Sequence, residues 1–236
     1  MCFDGAIEAI EKVFGIKVLT QKYYLYALTH SSFTKERELP YEECYERLEF
    51  LGDAVLKLAT SKILFSKYPN YSEGEMSKIR SIVVSDNTLA QIMEQVGLDK
   101  YIAASKHDMK QGVTKLESVR ACAFEALLGA YYLDGKFAEV LEFLDKILTP
   151  YIEDVDEHFA KFNAKAILQE YTQGLTKKTP EYELVGAYGP DHKKVFKVEV
   201  SYQGEVVAFG EGKSKKEAEQ KAAYAACIKL GAIKDE

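Results

Sequence analysis

Residues 46–56, ERLEFLGDAVL, predict a helix that carries three carboxylates on one side. Glu46, Glu49 and Asp53 are spaced i, i+3 and i+7, which places them in one stripe along a helix. Apolar side chains cover much of the remaining circumference, so we expect the helix to be packed. Two interpretations are open, because the stripe is either a solvated acidic face or the site of a divalent cation that offsets the repulsion between like charges. Gly52 costs about 1 kcal/mol relative to Ala inside a helix and indicates close approach of another backbone.

A second segment, residues 118–135, reads SVRACAFEALLGAYYLDG and is apolar almost all round over its centre, which predicts a buried helix. Its one interior carboxylate is Glu125, and a buried carboxylate is costly unless it is paired or coordinated. If this helix packs against the first, Glu125 joins Glu49 and Asp53 around a hard cation such as Mg²⁺. The alternative is a pair with a basic side chain, for which Arg120 is the nearest candidate.

The composition is that of an ordinary soluble protein, with 236 residues, 47% hydrophobic residues and 29% charged residues. There is no run of about 18 apolar residues and no signal-peptide core, so we expect a cytoplasmic protein without a membrane partner. The four cysteines are scattered with no CxxC pair, which indicates neither a disulfide framework nor a zinc site.

Net charge is divided unequally along the chain. The total of −6 at pH 7 argues, at face value, against a nucleic-acid partner. Residues 163–236, however, hold 12 Lys and 11 acidic side chains, a net of +1, whereas residues 1–162 hold 19 basic and 26 acidic side chains, a net of −7. The acidity therefore belongs to the first part of the chain.

Hydrophobic periodicity predicts two domains. Apolar residues recur at helical spacing through residues 1–150, which predicts an all-α domain. An acidic stretch at 151–162 is interpreted as a linker. Residues 163–232 then change to alternating patterns such as KVFKVEVSY, bounded by helical segments, and predict a small α-β-β-β-α domain.

These motifs resemble those of the ribonuclease III family. The 46–56 segment is similar to the family's signature, and YALTHSSF (26–33), EGEMSKIRSIVVS (73–85) and AFEALLGAYYLD (123–134) match its other helices in the expected order. The resemblance implies an all-α endonuclease domain followed by a double-stranded RNA-binding domain.

The same resemblance implies an activity and its partners. Members of the family hydrolyse double-stranded RNA as homodimers, using Mg²⁺, with Mn²⁺ as a second candidate, and leave 5′-phosphates with short 3′ overhangs. Precursors of ribosomal RNA and messenger duplexes are the usual substrates, and no small-molecule cofactor is expected.

Roles for individual residues also follow from the resemblance. Asp53 and Glu125 match the family's catalytic carboxylates, and Glu49, Asp53 and Glu125 match its metal ligands. Phe50 matches an aromatic side chain that the family inserts into the partner subunit at the dimer interface, and an ordinary core phenylalanine is the alternative interpretation.

The chain departs from the family at Cys122, where an Asp usually precedes Glu125 by three residues. A thiol is soft and, near its reference pKa of ~8.5, mostly protonated at neutral pH, so it is a poor ligand for Mg²⁺. Either the site works with water in the missing position, or metal preference or rate is altered, or the domain has lost catalysis and retains binding. We favour cleavage, with a catalytically weakened or inactive RNA-binding homologue as the alternative.

The small domain carries a lysine cluster at a predicted helix start. Ser214 and Glu217 have the spacing of a capping box, which places Lys213, Lys215 and Lys216 at a helix N-terminus. Positive charge there opposes the helix dipole, so we expect these lysines and the free N–H groups to bind an external anion such as an RNA phosphate. A solvated cluster is the alternative.

Two further segments match RNA contacts of the family. Gln169, Glu170 and Gln173 lie on the first helix of the small domain, at positions that match contacts with the minor groove and its 2′-hydroxyls. The segment GPDHKK, residues 189–194, matches a loop that enters the neighbouring minor groove, with His192 as the predicted contact.

Overall fold

The computed structural model describes residues 3–190 and 194–233. The chain divides into two compact units, Met1–Glu153 and Asp154–Glu236. Within the described ranges, no helix is long and apolar enough to cross a membrane. The predicted RNA contact His192 lies outside the described residues.

The first unit is helical and contains no named strand among its described residues. Helices α4 and α8 pack against each other at its centre, and the other helices surround them. The helices that begin in this unit are α1 (Ala6–Phe14), α2 (Gln21–Ala27), α3 (Ser31–Glu36), α4 (Glu46–Lys67), α5 (Glu73–Val83), α6 (Asp86–Gln95), α7 (Lys106–Gln111), α8 (Glu117–Leu133) and α9 (Phe137–Glu157).

The burial of α8 explains its composition. Ten of its 17 residues are buried, so apolar side chains face neighbours on all sides, as the sequence predicts. Helix α4 has a narrower buried side, which runs from Leu48 to Leu64. Its other side keeps the carboxylates and several exposed apolar side chains at the surface.

The segment predicted as a linker is helical. Helix α9 continues through Pro150 to Glu157, and a four-residue helix, α10 (Phe159–Phe162), follows it. Proline usually ends a helix, but here Leu148 and Ile152, on either side of it, are both fully buried. The burial of this continuous apolar face accounts for the continuation of α9.

The second unit is a three-stranded antiparallel sheet with helices against one face. Strand order is β1-β2-β3, and the hairpin between β2 and β3 turns at Gln203 and Gly204, both with positive φ (56° and 84°), as a two-residue turn of this handedness requires. Val198 and Val200 of β2 point into a core shared with the helices. The elements are α11 (Ala164–Thr176), β1 (Glu181–Tyr188), β2 (Val195–Tyr202), β3 (Glu205–Gly212) and α12 (Lys215–Leu230).

Candidate functional site

Helices α4 and α8 touch through their backbones where two glycines meet the opposite helix. A Cβ added at Gly52 would lie 1.7 Å from the Glu125 carbonyl oxygen, and one at Gly129 would lie 2.3 Å from the Leu48 carbonyl oxygen. Any side chain at either position would therefore force the helices apart. The prediction that another backbone approaches Gly52 is confirmed, and that backbone belongs to Glu125 itself.

This crossing sets the positions of the predicted acidic residues. Glu49 lies one turn before Gly52 on α4, Asp53 follows it directly, and Glu125 lies at the contact point on α8. All three side chains are partly exposed, so they are open to a ligand from solution. The predicted packing of α8 against α4 is confirmed, whereas the assignment of the three carboxylates as metal ligands stays a prediction.

Glu125 lies in a strongly negative environment. Burial, and then the charges of Asp53, Glu49 and Asp86, raises the pKa of Glu125 to about 8. Burial and the neighbouring carboxylates also raise the pKa of Glu49. Both effects disfavour the ionised form, because water is removed and like charges are close. A cation bound among these groups would relieve both.

Arg120 does not provide that cation. Its guanidinium contacts Glu94 at 2.9 Å and Asp99 at 3.5 Å, and so ties α8 to the region around α6. The alternative interpretation of Glu125 as the ion-pair partner of Arg120 is therefore wrong.

Cys122 lies beside Glu49 and acts as a neutral group. Burial, followed by the charge of Glu49 and a hydrogen bond that the thiol donates to it, raises the pKa of Cys122 far above neutrality. The thiol is therefore protonated at pH 7 and adds no negative charge. An aspartate here would place a further carboxylate beside Glu49 and Glu125.

Asp53 makes an ion pair with a lysine on its own helix. Lys57 Nζ lies 2.8 Å from Asp53 Oδ2, an i,i+4 pair with both side chains about half exposed. The charge of Lys57 also acts to lower the pKa of Glu125.

Among the described residues, no group of three or more His, Cys, Asp or Glu side chains is arranged to hold a metal ion.

The donor set nevertheless fits a hard divalent cation. Carboxylate oxygens are the ligands that Mg²⁺ prefers, and Mg²⁺ usually keeps several waters in addition to one or two carboxylates. Glu125, whose backbone lies against Gly52 of α4, has a half-buried carboxyl whose pKa is raised by burial and by the nearby carboxylates, which supports such a cation.

Sequence reasoning missed Asp86 and Lys57. Asp86 begins α6, and its charge acts on Glu49, Cys122 and Glu125. It is far from them along the chain, so the only sequence signal was an acidic residue in a first helical turn. Lys57 could have been found from its i+4 spacing after Asp53.

Glu46, the first carboxylate of the stripe, is held by a neighbour outside the helix. The Tyr41 hydroxyl donates a hydrogen bond to its carboxylate. That bond is the main reason that the pKa of Tyr41 is raised. Glu46 is thus fixed at the start of α4, whereas Glu49 and Asp53 lie near the crossing.

Phe50 projects into solvent. Its side chain is 84% exposed, and Leu58 and Phe65 further along α4 are 58% and 74% exposed. The alternative interpretation of Phe50 as an ordinary core residue is therefore wrong. Exposed large apolar side chains on one helix are typical of an interaction surface.

In the second unit, the predicted lysine cluster lies at the start of α12. Ser214 caps the helix, since its Oγ accepts the Glu217 N–H at 3.2 Å. Lys213, Lys215 and Lys216 are all exposed there. The predicted capping box needs one correction: the Glu217 carboxylate accepts the N–H of Lys213, at 2.8 Å, rather than the N–H of Ser214.

The remaining predicted RNA contacts lie on α11, which packs against α12. Gln169, Glu170 and Gln173 are exposed on this helix. The described residues thus place polar side chains of α11 and lysines of α12 on two adjoining helices of one small domain, and their contact with RNA stays a prediction.

Models of known families match both units. The model described as ribonuclease-III-like matches residues 20–152. The model of the double-stranded RNA binding motif matches residues 164–230. Together they cover the helical unit and the α-β-β-β-α unit in the order that the sequence predicts.

Curated proteins and solved structures agree with these matches. The chain is 41% identical over 208 residues to ribonuclease 3 of Fusobacterium nucleatum, covering 87% of each chain. It is 39% identical over 204 residues to ribonuclease 3 of Listeria welshimeri, covering 86% of this chain and 89% of that protein. The nuclease domain of ribonuclease III from Campylobacter jejuni aligns with a TM-score of 0.53 and 34% identity, over 63% of this chain and 96% of that structure.

Proposed function

Because the chain belongs to the ribonuclease III family, whose members are endoribonucleases, we propose that it hydrolyses double-stranded RNA with a divalent cation held by Glu49, Asp53 and Glu125. The observation that carries this proposal is the α4–α8 crossing, which brings the Glu125 backbone against Gly52 between the two other carboxylates. Mg²⁺ is the cation that the donor set favours, and Mn²⁺ offers a second choice.

The side chains at the crossing have different proposed roles. A divalent cation held by Glu49, Asp53 and Glu125 would supply a nucleophilic water and stabilise the leaving 3′-oxygen, and the product would carry a 5′-phosphate. Asp53, a partly exposed carboxylate at the crossing, orients the attacking water as a hydrogen-bond acceptor. Glu125 and Glu49 would hold the ion together with Asp53, and Cys122 contributes a neutral thiol beside Glu49.

The second unit binds the duplex. Lys213, Lys215 and Lys216 contact phosphates, while Gln169, Glu170 and Gln173 contact the minor groove and its 2′-hydroxyls. Their exposure on adjoining helices supports this assignment, and recognition of this kind depends on A-form shape more than on sequence.

We assign residues 1–150 to the nuclease domain, 151–162 to a connecting helical segment and 163–232 to the RNA-binding domain.

We also propose that the protein acts as a homodimer through Phe50. The exposure of this side chain supports the assignment. One Campylobacter structure is described as showing flexibility in a region involved in dimer formation of its nuclease domain. Sedimentation should show that Phe50→Ala weakens a dimer, whereas Leu175→Ala, which removes an exposed apolar side chain from the second unit, should leave it intact.

A cleavage assay tests the enzymatic proposal. Purified protein with Mg²⁺ or Mn²⁺ should cut long duplex RNA to short products with 5′-phosphates and short 3′ overhangs, and chelation should stop the reaction. Cytoplasmic processing of ribosomal and messenger RNA is the role that such an activity serves.

The neutral thiol of Cys122 favours one alternative, an RNA-binding homologue with weak or absent cleavage. Duplex RNA that is bound but left intact at every metal concentration would support this alternative and contradict ours. Recovery of cleavage by Cys122→Asp would then locate the defect at this residue.

A further inference from the structure

The metal site contains a basic side chain of its own. Lys57 Nζ and Asp53 Oδ2 are 2.8 Å apart, and this spacing is that of a direct ion pair. The side chain of Lys57 is 54% exposed and that of Asp53 is 40% exposed, so both are free to separate when a stronger partner for the carboxylate arrives. An exposed pair of this kind is weak, since water and salt screen it.

Lys57 acts on more than its direct partner. Its positive charge opposes the effect of the surrounding carboxylates on Glu125. Two guanidinium groups of the neighbouring helices have other partners, because Arg80 donates to Ser61 at 2.7 Å and Arg120 pairs with Glu94. Lys57 therefore compensates part of the negative charge at the crossing.

We propose that Lys57 sets the cation affinity of the proposed metal site, because it pairs with Asp53 in the metal-free protein and competes with the divalent cation for this carboxylate. The inference rests on the proposed metal-dependent function. It predicts that Lys57 raises the concentration of divalent cation that the enzyme needs. A bound cation and Lys57 compete for the Asp53 carboxylate, whose Oδ2 lies 2.8 Å from Lys57 Nζ.

The effect of Lys57 adds to that of Cys122. The thiol removes one negative charge relative to the usual aspartate, and Lys57 adds one positive charge four residues after Asp53. Both changes reduce the attraction of the site for a divalent ion. We therefore expect weaker cation binding than four uncompensated carboxylates would give, and Lys57 is the residue through which this affinity can be raised.

The test is a titration of the full-length protein with Mn²⁺ in the absence of RNA, with free Mn²⁺ measured by electron paramagnetic resonance. Lys57→Gln removes both the competing ion pair and the repulsion of the incoming ion, so it should tighten Mn²⁺ binding about three- to tenfold at low salt. The difference should shrink as the ionic strength rises. In cleavage assays, Lys57→Gln should reach its half-maximal rate at a correspondingly lower Mg²⁺ concentration.

Two variants serve as controls. Lys57→Arg keeps the charge and should bind Mn²⁺ as the unmodified protein does. Lys62→Gln removes an exposed lysine from the same helix, away from the crossing, and should have little effect. The inference is overturned if Lys57→Gln binds Mn²⁺ no more tightly than the unmodified protein or than Lys62→Gln. Absence of Mn²⁺ binding by the unmodified protein would instead overturn the proposed metal-dependent function, and this inference with it.

Discussion

In both units a glycine lets a helix contact another backbone closely, but the charged side chains near the two contacts differ in sign and in burial. In the nuclease unit, Gly52 lies against the Glu125 carbonyl. In the RNA-binding unit, a Cβ at Gly210 would lie 2.2 Å from the Ala218 carbonyl oxygen of α12. The first contact brings carboxylates together at a half-buried site, whereas the second anchors a helix whose first residues, Lys215 and Lys216, are exposed.

The difference in burial and sign of these charged side chains indicates which kind of ligand each unit binds. Half-buried like charges are costly until a small, strongly charged ion is among them, so the nuclease unit favours a specific cation. Exposed lysines at a helix start stay hydrated and carry no desolvation cost. They can therefore bind an extended polyanion with many equivalent phosphates. Loss of a charge should therefore have different consequences in the two units.

The largest effect is expected for cleavage. Glu125→Gln removes a proposed metal ligand and should lower the rate of duplex cleavage about 10³-fold, because the ion and its activated water are lost. Binding of duplex RNA, measured by mobility shift, should change little. Glu117→Gln, an exposed carboxylate at the start of the same helix, should cleave normally. Equal loss of cleavage and binding in Glu125→Gln would contradict the separation of the two units.

A large effect on stability is expected at the crossing. Gly52→Ala places a methyl group 1.7 Å from a backbone oxygen and should lower the free energy of unfolding by about 3 kcal/mol, measured by urea denaturation. Gly74→Ala, near the start of α5 with nothing closer than 4.0 Å, should instead stabilise the protein slightly. If Gly52→Ala is as stable as the unmodified protein, the helices do not touch as described.

A moderate effect is expected for RNA affinity. The double change of Lys215 and Lys216 to Gln should weaken duplex binding about tenfold or more at physiological salt and reduce the slope of log affinity against log salt by about 2. The double change of Lys177 and Lys178 to Gln, at the exposed end of α11, removes the same charge from another place. A matching loss there would mean that net charge alone governs binding.

The smallest effect is expected in the pH dependence of stability. The pKa of Glu125 is about 8 in the folded protein and lies above its ordinary value of 4.5, so folding favours the protonated form. Stability from this group is complete below about pH 4.5 and is lost as the pH rises through 8. In metal-free protein, Glu125→Gln should therefore be about 1–2 kcal/mol more stable than the unmodified protein at pH 9, and equally stable at pH 4.5. Thermal unfolding at the two pH values measures this, and a difference that is independent of pH would contradict it.

Much of the fold could be predicted from the sequence because its strongest signals are local. The periodicity of α4 and α8 and the alternation in β2 each identify one element without knowledge of its neighbours. The short helices α2 and α7 gave no such signal, since a few residues hold too few apolar positions to show a period. The continuation of α9 through Pro150 depends on burial against other elements, which the sequence does not display.

The candidate site was predictable to the same extent. Glu49, Asp53 and Glu125 were identified by their carboxylates on apolar helices, and Gly52 by its cost inside a helix. Asp86 was missed because it reaches the site only through the packing of α6 against α8. Arg120 was wrongly considered for Glu125, because nearness along a helix does not show which way a long side chain turns.

The contact between Gly52 and the Glu125 carbonyl has a consequence for dynamics. Helix α4 packs directly on the main chain of Glu125, a proposed catalytic residue. Helix α8 therefore cannot move at Glu125 without opening the centre of the nuclease unit. Amide hydrogens of α8 around this residue should therefore exchange with solvent only through global unfolding. The position of the carboxylate would then be as persistent as the fold, and adjustment to different ions would be left to side chains such as Lys57.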